Sequence, residues 1–232
     1  RSEQLRANLL RSISHDLRTP LTTIAGNASS LLSNGKSFDE QTRYQIYQDI
    51  YNDSVWLNNL VENLLYATRI EEGRMVLNTS TELLADVIDD AVRHVKQHSG
   101  EHSIFVESDD EYILVTADAR LIVQVIINIV DNAVRYTPPG SHITIRSCRE
   151  NNMAVVYIED NGNGISDEDK EHVFDKFYSG TNRIADNRRS IGLGLYLCKA
   201  IIEAHGGTIT VRDNNPAGAV FVFTLPLADN AF

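Results

Sequence analysis

The chain of 232 residues is poor in cysteine, in long apolar runs and in positive charge. Cys148 and Cys198 are too few for a disulfide framework, so we predict a reducing compartment. No apolar run reaches the roughly 18 residues that cross a bilayer, and no signal peptide is visible. The net charge of −11 argues against the basic surface that nucleic acids require, so we expect no nucleic-acid partner.

Proline is scarce near the N-terminus, where only Pro20 occurs before about residue 70. Apolar residues recur there at spacings of three and four, which predicts two amphipathic helices joined by a turn at residues 33–37. Their stripes consist of Leu5, Leu9, Ile13, Leu17, Leu21, Ile24, Ala28 and Leu31, and of Ile46, Ile50, Leu57, Leu60, Leu64 and Ala67. Two helices cannot bury such stripes alone, so we predict an antiparallel hairpin that forms a four-helix bundle in a homodimer.

The pattern changes after about residue 73, where short strand-like segments alternate with helices. We predict strands at 75–78, 103–107 and 112–116, and hairpins at 142–160 and 206–227. We predict helices at 81–95, 118–136 and 193–205. Ser80 or Thr81 would cap the helix at 81–95. The predicted fold class is therefore α+β. A helical hairpin at residues 1–72 precedes a two-layer α/β sandwich with a mixed sheet at residues 73–232, covered by helices on one face.

Two asparagines stand out in the apolar helix at 118–136. Asn128 and Asn132 are four residues apart and therefore share one face. Buried amides need partners or a ligand, and an amide oxygen suits Mg²⁺. An internal hydrogen-bonded pair is an equally good interpretation from the spacing alone. Arg135 adds a cation near the same face, although such an arginine is more often a solvated charge.

A second signal, EDNGNGI at residues 159–165, directly follows a predicted strand. Asp160 offers an acceptor for an exocyclic amine, and Gly162 and Gly164 allow the backbone to approach a flat ring or to adopt a positive φ. An ordinary Asp-Asn-Gly turn is the competing interpretation.

A third signal is SIGLGLYL at residues 190–197, where Gly192 and Gly194 open a helix whose free N–H groups suit phosphate. The full GxGxxG spacing is absent and no strand precedes it, so we reject a dinucleotide-binding fold; no P-loop is present either. The polar stretch 174–190 carries Arg183, Arg188 and Arg189 and suits a mobile lid over phosphates, with a solvated loop as the alternative.

Taken in order, five segments resemble the motifs of the sensor histidine kinases of two-component signalling, and the resemblance covers essentially all 232 residues. SHDLRTP resembles the H-box, QVIINIVDNAVRYTP the N-box, DNGNGI the first glycine box, FDKFY the F-box and GLGL the second glycine box. Four segments are also similar in sequence to the KdpD-like, potassium-responsive subgroup of this family. They are LRANLLRSISHDLRTPLT, FDKFYSG, AIIEAHGGTI and FVFTLPL.

The resemblance implies roles for individual residues. His15 would be the phosphoacceptor, Asp16 the base that activates it, and Thr19 the residue that positions water in a reverse phosphatase reaction. ATP and Mg²⁺ would be the cofactors, with Asn132 holding Mg²⁺. Further nucleotide contacts are implied at Asn128, Arg135, Tyr136, Asp160, Gly162, Gly164, Ile165, Tyr178, Gly192, Leu193, Gly194 and Leu195. One departure is Ser190, which stands where the family often has an earlier glycine.

The residues around His15 fit this chemistry. A helix advances about 100° per residue, which places His15 opposite the apolar stripe and facing solvent. Neutral imidazole, with a pKa of about 6.5, would attack the γ-phosphorus while Asp16 holds the other ring nitrogen. An ordinary surface histidine and acid are the competing interpretation. Pro20 cannot donate to the carbonyl of Asp16, so we expect a bend that transmits a signal, or else a static kink.

Two rival functions remain open from the sequence: an ATP-hydrolysing protein of the gyrase type, for which Asp131 offers a carboxylate, and a non-catalytic dimeric scaffold. The main hypothesis implies a cognate response regulator as partner. The chain begins at Arg1 in the middle of a helical pattern, so we expect a piece of a longer protein. We predict the cytoplasmic domain of a membrane-anchored bacterial sensor, with any membrane segment outside this sequence.

Overall fold

The computed structural model describes residues 2–96, 99–110, 112–178 and 192–228, without the side chains of residues 2–13, 15, 16 and 71. The chain forms two compact units, Arg1–Arg69 and Ile70–Phe232. The predicted domain boundary after residue 72 stays a prediction. Among the described helices, none combines the length and apolar character that a bilayer crossing requires.

The first unit is a pair of long helices, α1 (Ser2–Asn34) and α2 (Glu40–Glu71). The turn between them depends on Gly35, whose N–H donates to the Leu31 carbonyl at 2.9 Å and where a Cβ would lie 2.3 Å from that oxygen. Asp39 starts α2 by accepting a hydrogen bond from the Thr42 N–H at 2.7 Å. Helix α1 continues through Pro20, whose side chain is buried.

The hairpin buries only part of its apolar surface. Leu60 and Ala67 are buried within it, at 6% and 4% exposure. Leu21, which the sequence places in the apolar stripe, is 54% exposed. Other large apolar or aromatic side chains of the hairpin are also exposed, namely Leu32, Tyr44, Tyr47, Tyr51, Val61 and Leu65. A single chain therefore leaves a second apolar face uncovered, as the predicted bundle requires.

The second unit contains a five-stranded sheet and three longer helices. Its elements are β1 (Ser80–Leu83), α3 (Leu84–Lys96), β2 (Ser103–Ser108), β3 (Leu114–Ala117), α4 (Ala119–Tyr136), β4 (His142–Glu150), β5 (Met153–Asp160), α5 (Asp167–His172), α6 (Gly194–Ala204), β6 (Ile209–Asp213) and β7 (Ala219–Pro226). The sheet order is β2-β4-β5-β7-β6, with β2 parallel to β4 and the other pairs antiparallel. Strands β1 and β3 form a separate antiparallel pair.

The core lies between this sheet and helices α3, α4 and α6, so the predicted two-layer α/β arrangement with a mixed sheet is confirmed. Helix α4 buries Val125, Ile126 and Ile129 completely, each at 0% exposure. Burial of one such side chain stabilises the fold by about 1.5–3 kcal/mol. The core therefore fixes the rotation of α4, and with it the direction in which Asn128 and Asn132 project.

Two local predictions were wrong, and one short helix was not predicted. Residues 75–78 form no strand. Ser80 and Thr81 do not cap a helix, because residues 80–83 form strand β1 instead. The helix begins at Leu84, whose N–H donates to the Ile113 carbonyl at 2.9 Å. Helix α5 was not predicted at all, although Ser166 caps it by accepting from the Asp169 N–H at 3.1 Å.

Candidate functional site

Asn128 projects from α4 with its two amide atoms in different environments. Gln124 Nε2, one turn earlier on the same helix, donates to Asn128 Oδ1 at 3.1 Å. The Nδ2 atom is fully buried and has no hydrogen-bond partner in the described residues. Because native structures rarely leave buried donors unpaired, this atom marks a place where a ligand acceptor would be favourable.

The start of α6 lies against this amide. A Cβ at Gly194 would come 3.8 Å from Asn128 Cγ, so the backbone of the helix start and the asparagine side chain are neighbours. The N-cap residue Leu193 makes no side-chain capping bond, so it leaves the first-turn N–H groups to other acceptors. Free N–H groups at a helix N-terminus suit phosphate. The structure thus brings together Asn128 and Gly194, which were predicted from separate motifs.

Cys198 supports Asn128 from the interior. Its thiol is fully buried and contacts the Val125 carbonyl with an Sγ–O distance of 3.7 Å. Burial raises the pKa of Cys198 to about 12. The donor end of the Asn128 amide lies near the sulfur and opposes that shift, although this contact does not meet the geometry of a hydrogen bond. A protonated thiol is a weak acceptor, so it does not satisfy the Asn128 N–H groups.

Asp160 ends β5 with a carboxylate that is 8% exposed. Its Oδ1 atom accepts from the Gly162 N–H at 2.9 Å and from the Ala219 N–H at 3.3 Å. Its Oδ2 atom makes no hydrogen bond within the described part of the chain. Burial raises the pKa of Asp160, and the two backbone N–H groups oppose that rise. The carboxylate is therefore held by one oxygen and offers the other to a ligand.

The glycines after Asp160 are required by close contacts. A Cβ at Gly162 would lie 2.5 Å from Thr137 Cγ2 and 3.1 Å from Asp160 Oδ1. Gly164 has a φ of 74°, and a Cβ there would lie 3.0 Å from the Gly218 carbonyl oxygen. The loop therefore packs directly on the end of α4, where the Thr137 hydroxyl donates to the Ala133 carbonyl at 2.7 Å.

The described ends of the predicted lid are joined by backbone contacts. The Phe177 N–H donates to the Gly192 carbonyl at 2.9 Å. Gly192 has a φ of 68°, and a Cβ there would lie 2.3 Å from the Tyr178 carbonyl oxygen. The Tyr178 hydroxyl donates to Asp169, which raises the pKa of Tyr178 to about 12. The lid stretch after Tyr178, with its three arginines and Ser190, lies outside the described residues.

The remaining predicted nucleotide residues differ in their exposure. Tyr136 is 60% exposed at the end of α4, and Leu193 is buried at 2%. The half-buried ones are Asn132, Arg135, Ile165 and Leu195. Leu193 therefore packs into the core, and only its backbone is placed to meet a ligand.

The predicted reaction centre lies in the first unit. His15 and Asp16 belong to α1, and their side chains lie outside the described ones, so the predicted orientation of His15 stays a prediction. Thr19 is exposed one turn later, and its carbonyl accepts from the Thr23 hydroxyl at 3.1 Å.

Sequence reasoning missed two residues of this site. Gln124 continues the four-residue spacing of Asn128 and Asn132, and that spacing alone was enough to find it. Thr137 lies in the segment that resembles the N-box, but its contact with Gly162 exists only in the folded arrangement, so the sequence indicates no role for it.

The donor set suits Mg²⁺ held through the nucleotide. The described residues contain no group of three histidine, cysteine or acidic side chains that would hold a metal by themselves. Mg²⁺ commonly takes one or two protein oxygens and completes its shell with water and phosphate oxygens. The half-buried amide of Asn132, one turn from the unpaired Asn128 N–H, fits such a site.

Comparison with known proteins agrees with this geometry. The His Kinase A (phospho-acceptor) domain model matches residues 5–73, and the histidine kinase-, DNA gyrase B- and HSP90-like ATPase model matches residues 117–229. Sensor protein KdpD of Clostridium acetobutylicum is 43% identical over 224 residues, which are 97% of this chain and 25% of that protein. The chain therefore spans a quarter of the length of this relative, whose name agrees with the KdpD-like subgroup predicted from the sequence.

Two solved structures extend the comparison. The Acinetobacter baumannii histidine kinase AdeS has a TM-score of 0.67 at 26% identity, covering 93% of this chain and 98% of that one. The catalytic domain of histidine kinase ThkA has a TM-score of 0.56 at 31% identity, covering 64% of this chain and 95% of that domain. The motifs, the fold and these relatives agree that the chain belongs to the sensor histidine kinase family of two-component signalling.

Proposed function

We propose that this chain is the catalytic core of a bacterial sensor kinase that transfers the γ-phosphoryl group of ATP to His15. A response-regulator aspartate then receives the phosphoryl group. The observation that carries the proposal is Asp160, a buried carboxylate fixed through Oδ1 with Oδ2 left for a ligand donor. An adenine amino group is such a donor.

The opposite end of the nucleotide would meet α4 and α6. The unpaired Nδ2 of Asn128 and the N–H groups at the start of α6 would donate to phosphate oxygens. Asn132 would hold Mg²⁺, which neutralises phosphate charge in phosphoryl transfer. Arg135 belongs to the same turn of α4 and would add positive charge near the phosphates.

The chemical step needs a nucleophile that is neutral near pH 7. One ring nitrogen of His15 attacks the γ-phosphorus, the bond to the bridging oxygen breaks, and ADP leaves with that electron pair. Asp16 accepts from the other ring N–H and stabilises the positive charge that develops on the imidazole. In the phosphatase direction Thr19 would position water against the response regulator. A solved structure of ThkA is a complex with response regulator protein TrrA, which supports such a partner here.

Incubation with Mg²⁺ and γ-labelled ATP tests the proposal. We expect the chain to become labelled through an acid-labile, base-stable bond, because a phosphoramidate has those properties. Release of free phosphate without a phosphoprotein would favour the ATP-hydrolysing alternative built on Asp131. Failure to bind Mg-ATP would favour the scaffold. The His Kinase A match over residues 5–73 supports neither alternative.

We propose that a second copy of the chain covers the exposed face of the hairpin, which includes Tyr47, Val61 and Leu65. Val61→Glu would place a charge in that interface, and we expect the mass in solution to fall from twice the 26.0 kDa chain to one chain. Light scattering after size-exclusion chromatography measures this. The matched control is Val76→Glu, at an 80% exposed valine outside the hairpin, which should leave the mass unchanged. If the Val61→Glu variant keeps the mass of a dimer, this interface is refuted.

Pro20 provides a test of signal transmission along α1. In Pro20→Ala the new N–H can donate to the Asp16 carbonyl, which stabilises the helix by up to about 3 kcal/mol. We expect a higher unfolding temperature and a several-fold change in the ratio of kinase to phosphatase activity. Thr23→Ala, which removes only a bond to the Thr19 carbonyl, is the control and should leave that ratio unchanged. If Pro20→Ala leaves both activities unchanged, the hinge hypothesis is wrong.

We also propose that this core is the cytoplasmic part of a membrane-anchored sensor. The relatives named sensor proteins are longer than this chain, which leaves length for an anchor and a sensing region outside it. The sequence of the full-length protein would test this proposal: a transmembrane segment outside these 232 residues would supply the anchor, and its absence would refute the proposal.

A further inference from the structure

We propose that Gln124 is a positioning residue, which sets the direction of the Asn128 amide so that its N–H groups face the phosphates of the nucleotide. This inference rests on the proposed function, since it concerns the phosphate end of the same site. Gln124 need not touch the nucleotide itself.

The first step is the asymmetry of the amide group. An asparagine amide has an acceptor end and a donor end of nearly equal shape, so the protein must choose between two orientations. Gln124 Nε2 donates to Asn128 Oδ1 at 3.1 Å, so the Asn128 amide can reverse only if this bond breaks or the Gln124 amide reverses with it. The oxygen is thereby held toward the start of α4, and the Nδ2 atom takes the other position.

The second step is that the donor end of the amide meets only a weak acceptor among the described residues. Nδ2 has no hydrogen-bond partner in the described residues, and the neighbouring thiol of Cys198 stays protonated and accepts only weakly. The orientation therefore depends on the acceptor end of the amide, which Gln124 occupies.

The third step is the location of the donor end. Gly194, at the first turn of α6, would bring a Cβ within 3.8 Å of Asn128 Cγ. Phosphate oxygens bound at that helix start would therefore lie near the amide and need donors from it. An amide turned the other way would present its oxygen to the phosphates and repel them.

Two substitutions of similar length separate orientation from packing. Gln124→Met removes the donor without adding charge, so both amide orientations become populated and the Kd for Mg-ATP should rise about twofold. Gln124→Glu replaces the donor by an acceptor that prefers the N–H end, so the productive orientation becomes rare and Kd should rise about tenfold or more. Adenosine, which lacks phosphates, should bind both variants as it binds the wild type.

A double-mutant cycle excludes direct repulsion between the new carboxylate and the phosphates. In Asn128→Ala no amide remains to be turned, so adding Gln124→Glu should cause no further loss. Direct repulsion would instead persist in that background. Isothermal titration calorimetry on the full chain measures the Kd values for Mg-ATP and for adenosine. It compares the wild type, both single variants and the double variant.

The outcomes are distinct. Equal losses in Gln124→Met and Gln124→Glu, or a full Gln124→Glu loss in the Asn128→Ala background, would overturn the inference while leaving the proposed function intact. Absence of Mg-ATP binding by the wild type would overturn the proposed function and the inference with it. If Gln124→Glu does not fold, the cycle with Gln124→Met decides: its twofold loss must disappear in the Asn128→Ala background.

Discussion

His15→Gln is expected to lower phosphoryl labelling from ATP by at least about a thousandfold, because the substitution removes the only proposed nucleophile. Glutamine is neutral, similar in size and a good helix former, so α1 should retain its structure. Autoradiography of the chain after incubation with Mg²⁺ and γ-labelled ATP measures the loss. The Kd for Mg-ATP should stay within about twofold of the wild type, because Asp160 and Asn128 belong to the other compact unit.

The control for this experiment is His94→Gln. His94 lies on α3, where Nδ1 lies 2.8 Å from the Asp90 carbonyl oxygen, and the proposed reaction gives it no role. Its substitution should leave labelling unchanged. Labelling that persists in His15→Gln would disprove the assignment of the phosphoacceptor, whereas loss of both labelling and ATP binding would indicate damage to the fold.

Local signals were sufficient where both partners of an element are close in sequence. The hairpin of β4 and β5 was predicted from two apolar runs around Asn151 and Asn152. Both asparagines adopt positive φ, 49° and 64°, as a tight hairpin turn requires. Helix α4 was equally clear, because its apolar residues continue over 18 residues without a breaker.

Local signals failed where the partner is distant. Residues 80–83 continue the apolar spacing of α3 and so resemble the start of a helix, but Ser80–Leu83 pairs with Leu114–Ala117 in register. Backbone hydrogen bonds to a strand some thirty residues away therefore decided the structure of this segment. No window around residue 80 contains that partner, which is why the pattern predicted a helix there.

The same distinction applies to the site. Asp160 was found from a motif, but the oxygen it leaves for a ligand depends on the Ala219 N–H, which belongs to β7. Asn128 was found from its spacing, yet the unpaired state of Nδ2 depends on Gln124 and on the buried thiol of Cys198. The sequence therefore identifies the residue types that carry the chemistry, and the fold decides which of their atoms are available.

Asp160→Asn is expected to raise the Kd for Mg-ATP about a hundredfold. The asparagine Oδ1 can still accept from the Gly162 and Ala219 N–H groups, so the NH₂ group takes the place of Oδ2 and faces the adenine amino group, donor against donor. The fold should not suffer. Burial raises the pKa of Asp160, so the charged carboxylate opposes folding at neutral pH. Without nucleotide, the variant should unfold at the same or a higher temperature at pH 7.

The raised pKa also predicts how ATP binding depends on pH. As the pH falls through the raised pKa of Asp160, the carboxylate gains a proton and loses an acceptor, so the affinity for Mg-ATP should fall. This loss should occur at a higher pH than it would for an aspartate with an ordinary pKa. In Asp160→Asn this dependence should disappear. The matched control is Glu159→Gln, whose side chain pairs with Arg146 at 3.5 Å on the other face of β5. It should keep both the affinity and its pH dependence, whereas an unchanged Kd in Asp160→Asn would exclude Asp160 from adenine recognition.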